Sequence, residues 1–595
     1  MKCILLLVAG ISSILPTLAN GNNILENVFG ISRQINNTLS REIPPEKGPS
    51  RSCGDIISIA TVEEIKGAAK SLMNAFLNDS SAALLVVNIL QDMVQYDVQA
   101  QVVCGSCQDV VIDQSSSTDD TNSSDRFKPS SYCDESQFAS NITYSNLLLI
   151  PIDPITNSSA QGILKSHVFL HSYRGEEQFG APSEFWLDDI GALISNDTEV
   201  LADIFANFYD GFSSLFIASS GVVVVAPDYL GYGQSYQSPK GFTIVDLYQQ
   251  AVAVGFLQSK KIVESTGCTL LSKETSTSGY SEGGIASVVA ALTLEGLGQK
   301  ILYVGSGGAP YQISLQMLYS ISQADNQVEN DQLYPLFAVG MVAFSSNIPN
   351  LPNSNQGQNT INDDWLDLMT ELASTSLSTE ELKAYIPDPV TEILETNILK
   401  KARELLAKNM TDFCLETMAG VDDLLCQTIN ENSIYDWVEA TTFPISICHS
   451  PNDTIIPISH IPNISSSPLL SMGTILGIGP DGDHYASSIF CHMVQILQFS
   501  SLSSSPVPLS GIESLTDPSK CAETPNSPSV TVPTSTPQEQ PIAPTSSPIS
   551  NSPLSVPTKS QDAKSHAESN YYLSLGKHVI PLLAMNLLFV MMFNC

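Results

Sequence analysis

Gly221-Val222-Val223-Val224-Val225-Ala226 is the segment that most restricts what this chain can fold into. Four consecutive β-branched residues favour extended backbone. Side chains alternate between the two faces of a strand, so a strand with one wet face shows alternating polarity. This segment shows none. It predicts a strand buried on both sides, as in a parallel sheet covered by helices. Other segments fit the same plan. Tyr144 to Ile150 reads as a strand stopped by Pro151, and His167 to Leu170, Ile301 to Gly305 and Phe443 to Cys448 read as further strands. Residues 242–263 and 285–297 between them read as helices. Strands alternating with helices predict an α/β fold with a mostly parallel sheet.

Two regions break the alternation. Residues 61–102 carry helical spacing, with Ile65, Ala68, Leu72 and Phe76 at three- and four-residue steps. Residues from about 308 to 440 are mostly helical by pattern, including Leu382 to Tyr385 and Val390 to Leu406. An insertion of that size predicts a helical cap over the C-terminal edge of the sheet, forming one wall of a substrate pocket.

The ends read differently. Lys2, the apolar run Ile4 to Leu18 and the small residues around Thr17-Leu18-Ala19 predict a signal peptide over 1–19. A polar leader, expected to be mobile, covers 20–52, and an N-terminal helical extension 53–139. The main domain is expected over 140–501, with the cap inside it. Residues 502–564 form a Ser/Thr/Pro-rich stalk, which cannot bury a core. Val579 to Phe593 is apolar but too short for a comfortable span of about 20 residues. A polar spacer and small residues such as Ser565 and Ala567 precede it, so 565–595 reads as a GPI-attachment signal.

The expected location is therefore extracellular or at the cell surface. Sequons at Asn36, Asn78, Asn122, Asn141, Asn157, Asn196, Asn409, Asn452 and Asn463 agree with it. So do the ten cysteines left between Cys3 and Cys595, an even number that predicts disulfides. Cys414 with Cys426 is a plausible local bridge. Cys104 and Cys107 read as disulfide members rather than a metal or redox pair, because no second such pair accompanies them. The chain carries 25 Lys+Arg against 61 Asp+Glu, a net charge of −36. That excludes nucleic acid as a partner and any membrane attachment through basic patches.

Gly279-Tyr280-Ser281-Glu282-Gly283 matches G-x-S-x-G. A serine nucleophile has to stand on a sharp strand-to-helix turn, and flanking glycines let strand and helix approach closely. The preceding Glu274-Thr275-Ser276-Thr277-Ser278 is polar for a central strand and weakens the match. The rest of the chain strengthens it. A serine needs a base, and the base needs an orienting carboxylate. Asp453 follows the strand ending at Cys448, and His484 lies 31 positions later in the turn-rich Gly477-Ile478-Gly479-Pro480-Asp481-Gly482-Asp483-His484. His167, His171, His449, His460 and His492 compete for the base, and Asp481 and Asp483 for the acid. The order Ser281, Asp453, His484 resembles that of α/β hydrolases, in which nucleophile, acid and histidine follow one another along the chain.

These motifs, with Ala226-Pro227-Asp228-Tyr229-Leu230-Gly231-Tyr232-Gly233, resemble the α/β-hydrolase family and, within it, secreted lipases and esterases of microbial eukaryotes. The resemblance covers about residues 140–500. It implies that Ser281 is the nucleophile, His484 the general base and acid, and Asp453 the orienting acid. One oxyanion donor is expected to be the Glu282 N–H. Family members usually carry His-Gly after the earlier strand, and this chain has His171-Ser172-Tyr173, so the Tyr173 N–H is the expected second donor. Asp228 is expected to make a structural turn with Gly231 and Gly233.

The implied activity is hydrolysis of a small-molecule or lipid ester through an acyl-enzyme, with no cofactor and no metal. A serine peptidase on the same fold and a catalytically inactive surface-binding module are the alternatives.

Overall fold

The structure is a computed structural model and describes residues 51–77, 87–88, 90–109, 127, 133, 142–173, 181–184, 209–236, 238, 240–265, 268–322, 398–408, 429–472 and 484–502. Its core is one sheet. In chain order the strands are β1 (Ile56–Ala60), β2 (Asp97–Gly105), β3 (Tyr144–Asp153), β4 (Ser158–Ser159), β5 (Gly162–Leu170), β6 (Val223–Pro227), β7 (Thr269–Tyr280), β8 (Lys300–Gly307), β9 (Ile445–Cys448) and β10 (Leu470–Met472). They lie in the order β1-β2-β3-β6-β5-β7-β8-β9-β10, with β4 paired to β3. From β6 to β10 every pairing is parallel. The pairings of β1 with β2, β2 with β3, β3 with β4 and β3 with β6 are antiparallel.

The helices used below are α1 (Val62–Leu77), α2 (Tyr209–Ser219), α3 (Val245–Glu264), α4 (Glu282–Gly296), α5 (Ile313–Ser322), α6 (Ile398–Ala407), α7 (Tyr435–Glu439) and α8 (His484–Leu502). The valine run forms β6 and is buried throughout. Val223 and Val225 join one apolar cluster, with Val252 of α3 and Val289 of α4. Val224 and Ala226 join the cluster on the other face, with Phe216 of α2 and Ile496 of α8. Each fully buried valine contributes roughly 1.5–3 kcal/mol, so both faces of this strand stabilise the fold. This is the mostly parallel sheet with helices on both faces that the α/β-hydrolase resemblance implied.

The N-terminal part differs from its expectation. It is helical over α1, but β1 and β2 add two antiparallel strands to the same sheet. Val98, Ala100 and Val102 are buried at every second position of β2, a strand period that the helical spacing just before it masked. So 53–139 is no purely helical extension. A disulfide joins Cys53 to Cys104, and a second joins Cys107 to Cys133. Cys104 and Cys107 are thus disulfide members in two separate bridges.

Of the expected cap, α5, α6 and α7 are described and are helical. Leu382 to Tyr385 lie outside the described residues, as do Cys414 with Cys426, the stalk beyond Leu502, which itself ends α8, and both chain ends. Among the described residues no helix is long and apolar enough to cross a membrane.

Candidate active site

β7 ends at Tyr280 and α4 begins at Glu282, leaving Ser281 alone on the turn. Its backbone has φ 56° and ψ −119°, a region that L-residues seldom occupy. The Ser281 N–H donates to Gly307 O at 2.8 Å, which ties the turn to the end of β8. The flanking glycines are required by contact. A Cβ on Gly279 would lie 2.2 Å from Gly283 O, and one on Gly283 would lie 2.1 Å from Leu170 O. Any side chain there would force β5, β7 and α4 apart.

The polar residues from Glu274 to Ser278 all find partners. Ser166 Oγ donates to Thr275 Oγ1 at 3.0 Å, and His167 Nδ1 and Nε2 pair with Ser276 Oγ at 3.1 Å and Ser278 Oγ at 3.0 Å. Thr277 Oγ1 donates to Ser287 O in α4 at 2.8 Å. The strand is polar because the neighbouring β5 carries a buried histidine. Burial pushes the His167 imidazole down to about 3, so it is neutral there.

The three expected residues meet. Ser281 Oγ donates to His484 Nε2 at 2.9 Å, and His484 Nδ1 donates to Asp453 Oδ2 at 2.6 Å. The other carboxylate oxygen, Asp453 Oδ1, accepts the Ile455 N–H at 2.9 Å and the Ile456 N–H at 2.8 Å. These two backbone donors set the carboxylate plane and leave Oδ2 for the imidazole. They also settle the tautomer, because a carboxylate facing Nδ1 needs the proton there. Burial pushes the Asp453 carboxyl up, but His484, His449 and the Ile456 N–H outweigh it, and the net direction is down. Asp453 is therefore the ionised partner.

His484 is the first residue of α8 rather than a loop residue as expected. Heading a helix fixes it firmly. Tyr280 Oη donates to His484 O at 2.7 Å. Gln495 Nε2 of α8 donates to Gly279 O and Gly305 O, each at 3.1 Å. A disulfide between Cys448 and Cys491 joins the end of β9, five residues before the acid, to α8, seven residues after the base.

The acid loop is held from two further sides, neither of them visible in the sequence. His449 Nε2 donates to Ile456 O at 2.6 Å and lies 3.7 Å from Asp453 Oδ2. On α5, Gln316 Nε2 donates to Ile455 O at 2.8 Å and Tyr319 Oη donates to Thr454 O at 3.0 Å. His460, one of the competing bases, donates from Nδ1 to Gln316 Oε1 at 2.9 Å and has no part in the triad. His171 stacks on Tyr229 with centroids 4.0 Å apart, and His492 packs within α8 against Phe169 and Tyr280. Asp481 and Asp483 lie outside the described residues.

Glu282 opens α4, so its N–H has no carbonyl to meet within the helix and stands beside Ser281. Tyr173 belongs to the segment after β5 that runs against the elbow. There Ser172 Oγ donates to Tyr280 O at 3.1 Å, and Gly283 sits against Leu170 O and His171 O. Asp228, expected to make a turn with Gly231 and Gly233, follows β6 and is buried. It accepts hydrogen bonds from Ser145 Oγ and, at 3.0 Å, from the Ser183 N–H, and Gly233 has no room for a Cβ beside it. Burial pushes its carboxyl up to about 6, against those hydrogen bonds. Among the described residues no His, Cys, Asp and Glu cluster could hold a metal ion.

Neither protein-family models nor curated proteins gave a match to the chain. Several solved structures are similar to it. A Legionella pneumophila protein described as a hydrolase is 16% identical, with a TM-score of 0.48 over 76% of this chain and 99% of its own. The rice cell wall degrading esterase LipA from Xanthomonas oryzae is 16% identical, with a TM-score of 0.47 over 76% of this chain and 98% of its own. Candida antarctica lipase A is 14% identical, with a TM-score of 0.36 over 62% of this chain and 69% of its own.

Proposed function

We propose that the protein is a serine hydrolase that cleaves carboxylic esters through an acyl-enzyme on Ser281. The observation that carries this reading is the unbroken line from Ser281 Oγ to His484 Nε2 at 2.9 Å and from His484 Nδ1 to Asp453 Oδ2 at 2.6 Å. It starts at a serine in a strained elbow, which is where a nucleophile needs exposure to one substrate face.

In this mechanism His484 Nε2 takes the Ser281 proton as Oγ attacks the ester carbonyl carbon. Asp453 stabilises the imidazolium that forms and does not itself take the proton. The Glu282 N–H, with the Tyr173 N–H as second donor, holds the oxyanion, and the α4 N-terminus favours that charge. His484 then protonates the leaving alcohol. Water, deprotonated by the same imidazole, attacks the acyl carbon; the Ser281 Oγ–C bond breaks, Oγ takes the proton back from His484, and the carboxylic acid departs.

The substrate is a small-molecule or lipid ester, and the site calls on no metal or cofactor. We also place the protein in the secretory pathway, with a signal peptide over 1–19, glycosylated sequons and a GPI anchor directed by the signal at 565–595. The disulfides support an oxidising compartment.

Two measurements test this. Wild type should hydrolyse short-chain aryl esters and label with a fluorophosphonate, and Ser281→Ala should do neither while melting like wild type. Equal hydrolysis by Ser281→Ala would refute the assignment, and cleavage of aminoacyl amides without esters would favour a peptidase. Phosphatidylinositol-specific phospholipase should release the cell-bound protein; retention would remove the GPI reading.

A further inference from the structure

Behind the nucleophile lies a carboxyl group that the hydrolytic cycle does not use. The backbone of Glu282 faces the reaction, but its side chain runs into the protein and is 2% exposed. There it meets Tyr248 of α3. The Tyr248 hydroxyl accepts the Thr243 N–H at 2.7 Å, so its own proton is directed to Glu282 Oε1, also at 2.7 Å. Thr243 sits at φ 60°, a conformation that a β-branched residue adopts only when its surroundings impose it. The second oxygen, Glu282 Oε2, is buried and has no hydrogen-bond partner.

A carboxylate left with one unsatisfied buried oxygen is costly, and the neutral acid is much less so. The surroundings offer little to offset a charge. Tyr248 faces the group from α3, and Tyr229 packs on Tyr248 with centroids 4.9 Å apart. His171 stacks on Tyr229, and the Tyr173 ring meets Phe242 edge-on. Lys240 is the cation that acts on Glu282, but its ammonium lies 5.3 Å from the Tyr173 ring centre and 5.1 Å from that of Tyr232. His484 of α8 meets Ser281, the residue before Glu282. Burial pushes the Glu282 carboxyl up to about 8, against the opposing pull of Tyr248 and Lys240.

We propose that Glu282 is a positioning residue that works as the neutral acid: bonded through Tyr248 to Thr243, it fixes the backbone N–H presented to the oxyanion, and its deprotonation sets the alkaline limit of the reaction. This rests on the hydrolase reading above. The physical reason is proximity. The oxyanion forms on the N–H of the same residue that carries the carboxyl. A neutral acid leaves that donor's field intact, whereas a carboxylate in the same low-dielectric pocket opposes the developing charge.

The test is the pH profile of kcat/KM on a soluble aryl ester for wild type, Glu282→Gln and Tyr248→Phe. Wild type should lose activity about tenfold across an alkaline limb centred near 8. Glu282→Gln, whose amide oxygen can still accept from Tyr248, should show no such limb. Tyr248→Phe removes the bond that favours the carboxylate and should move the limb to higher pH. A purely structural role would instead scale activity equally at every pH. An identical limb in wild type and Glu282→Gln would overturn the proposal. So would an unmoved limb in Tyr248→Phe, which decides the matter if the Gln variant does not fold. Infrared difference spectra between about pH 6 and pH 10 need no substrate. Wild type should lose a protonated-carboxyl band that Glu282→Gln lacks, and no difference between the two would also overturn the proposal. Absence of ester hydrolysis in wild type would defeat the hydrolase reading separately, leaving the infrared measurement to decide on Glu282.

Discussion

Replacing Asp453 by Asn tests whether the backbone around the acid determines the protonation of the base. Asp453 Oδ1 accepts two N–H groups, from Ile455 at 2.9 Å and Ile456 at 2.8 Å, and only Oδ2 faces His484. An asparagine must keep its carbonyl oxygen on those two donors. The flipped amide would strand both, at about 1–3 kcal/mol each. The amide nitrogen is then forced towards His484 Nδ1 and, as a donor, demands that Nδ1 accept. The imidazole proton moves to Nε2, which faces Ser281 Oγ and can no longer take its proton. The expected cost is about 10⁴ in kcat, or about 5 kcal/mol, with KM little changed. Steady-state hydrolysis of an aryl ester measures it. Fluorophosphonate labelling should slow in parallel, because it needs the same activated oxygen. The melting temperature should stay near wild type, since both Oδ1 bonds survive, whereas Asp453→Leu strands both N–H groups and should melt earlier. Activity within tenfold of wild type, or a loss carried by KM alone, would refute this account of Asp453.

Three other outcomes follow from the geometry. Cys448→Ala with Cys491→Ala opens a bridge of sequence separation 43, which should cost about 4 kcal/mol by chain entropy and lower kcat as the acid and base lose their tie; an unchanged melting temperature would contradict this. Gly283→Ala places a Cβ 2.1 Å from Leu170 O and 2.7 Å from His171 O, so the elbow must open, and ester hydrolysis should fall at least about a hundredfold; wild-type labelling would contradict it. His167 and His460 are buried neutral, pushed by burial down to about 3 and about 4, so the stability they hold is present above the ordinary histidine value and lost as pH falls. The melting temperature should therefore drop below about pH 6.5, at up to about 1.4 kcal/mol per pH unit for each group, and His460→Gln should flatten that slope.

The parts of this molecule that local chemistry specifies were legible in the sequence. Val222 to Val225 announces a strand buried on both faces because four β-branched residues in a row favour extended backbone and show no polar alternation. The elbow is legible because Gly279, Ser281 and Gly283 fall within five consecutive residues. Asp453 and His484 could be picked from their order along the chain, although helix α8 beginning at His484 could not. What failed depends on contacts distant in sequence. β2 is a strand because it pairs with β3 over its full length, from Asp97 opposite Ile152 to Gly105 opposite Tyr144. Its own Gln and Ala residues carry little strand preference, so pairing overrides propensity. His449 was readable only as a rival base. Its place behind Asp453 appears once the loop from 450 to 456 turns back on it. Glu282 was readable as an N–H donor, but its buried acid follows from Tyr248, 34 residues away.

The polar character of β7 looked like an argument against a central strand, and the structure turns it into an argument for register. An apolar strand beside β5 could slide by two residues and still bury the same face. β7 cannot. His167 stands opposite Ser276, and its two nitrogens engage Ser276 and Ser278 together. A slide of two residues towards the strand's start would bring Glu274 to the imidazole, and a slide the other way would bring Tyr280. Either replaces one of the two serine hydroxyls that fit the ring nitrogens with a side chain of different reach, a carboxylate or a phenol. A slide of one residue presents the opposite face of the strand. The register so chosen sets Leu170 against Gly279, and Leu170 O then lies where only a glycine at 283 fits. The hydroxyls that weakened the reading of Ser281 as a nucleophile are thus what place the elbow against β5, with its serine in reach of His484.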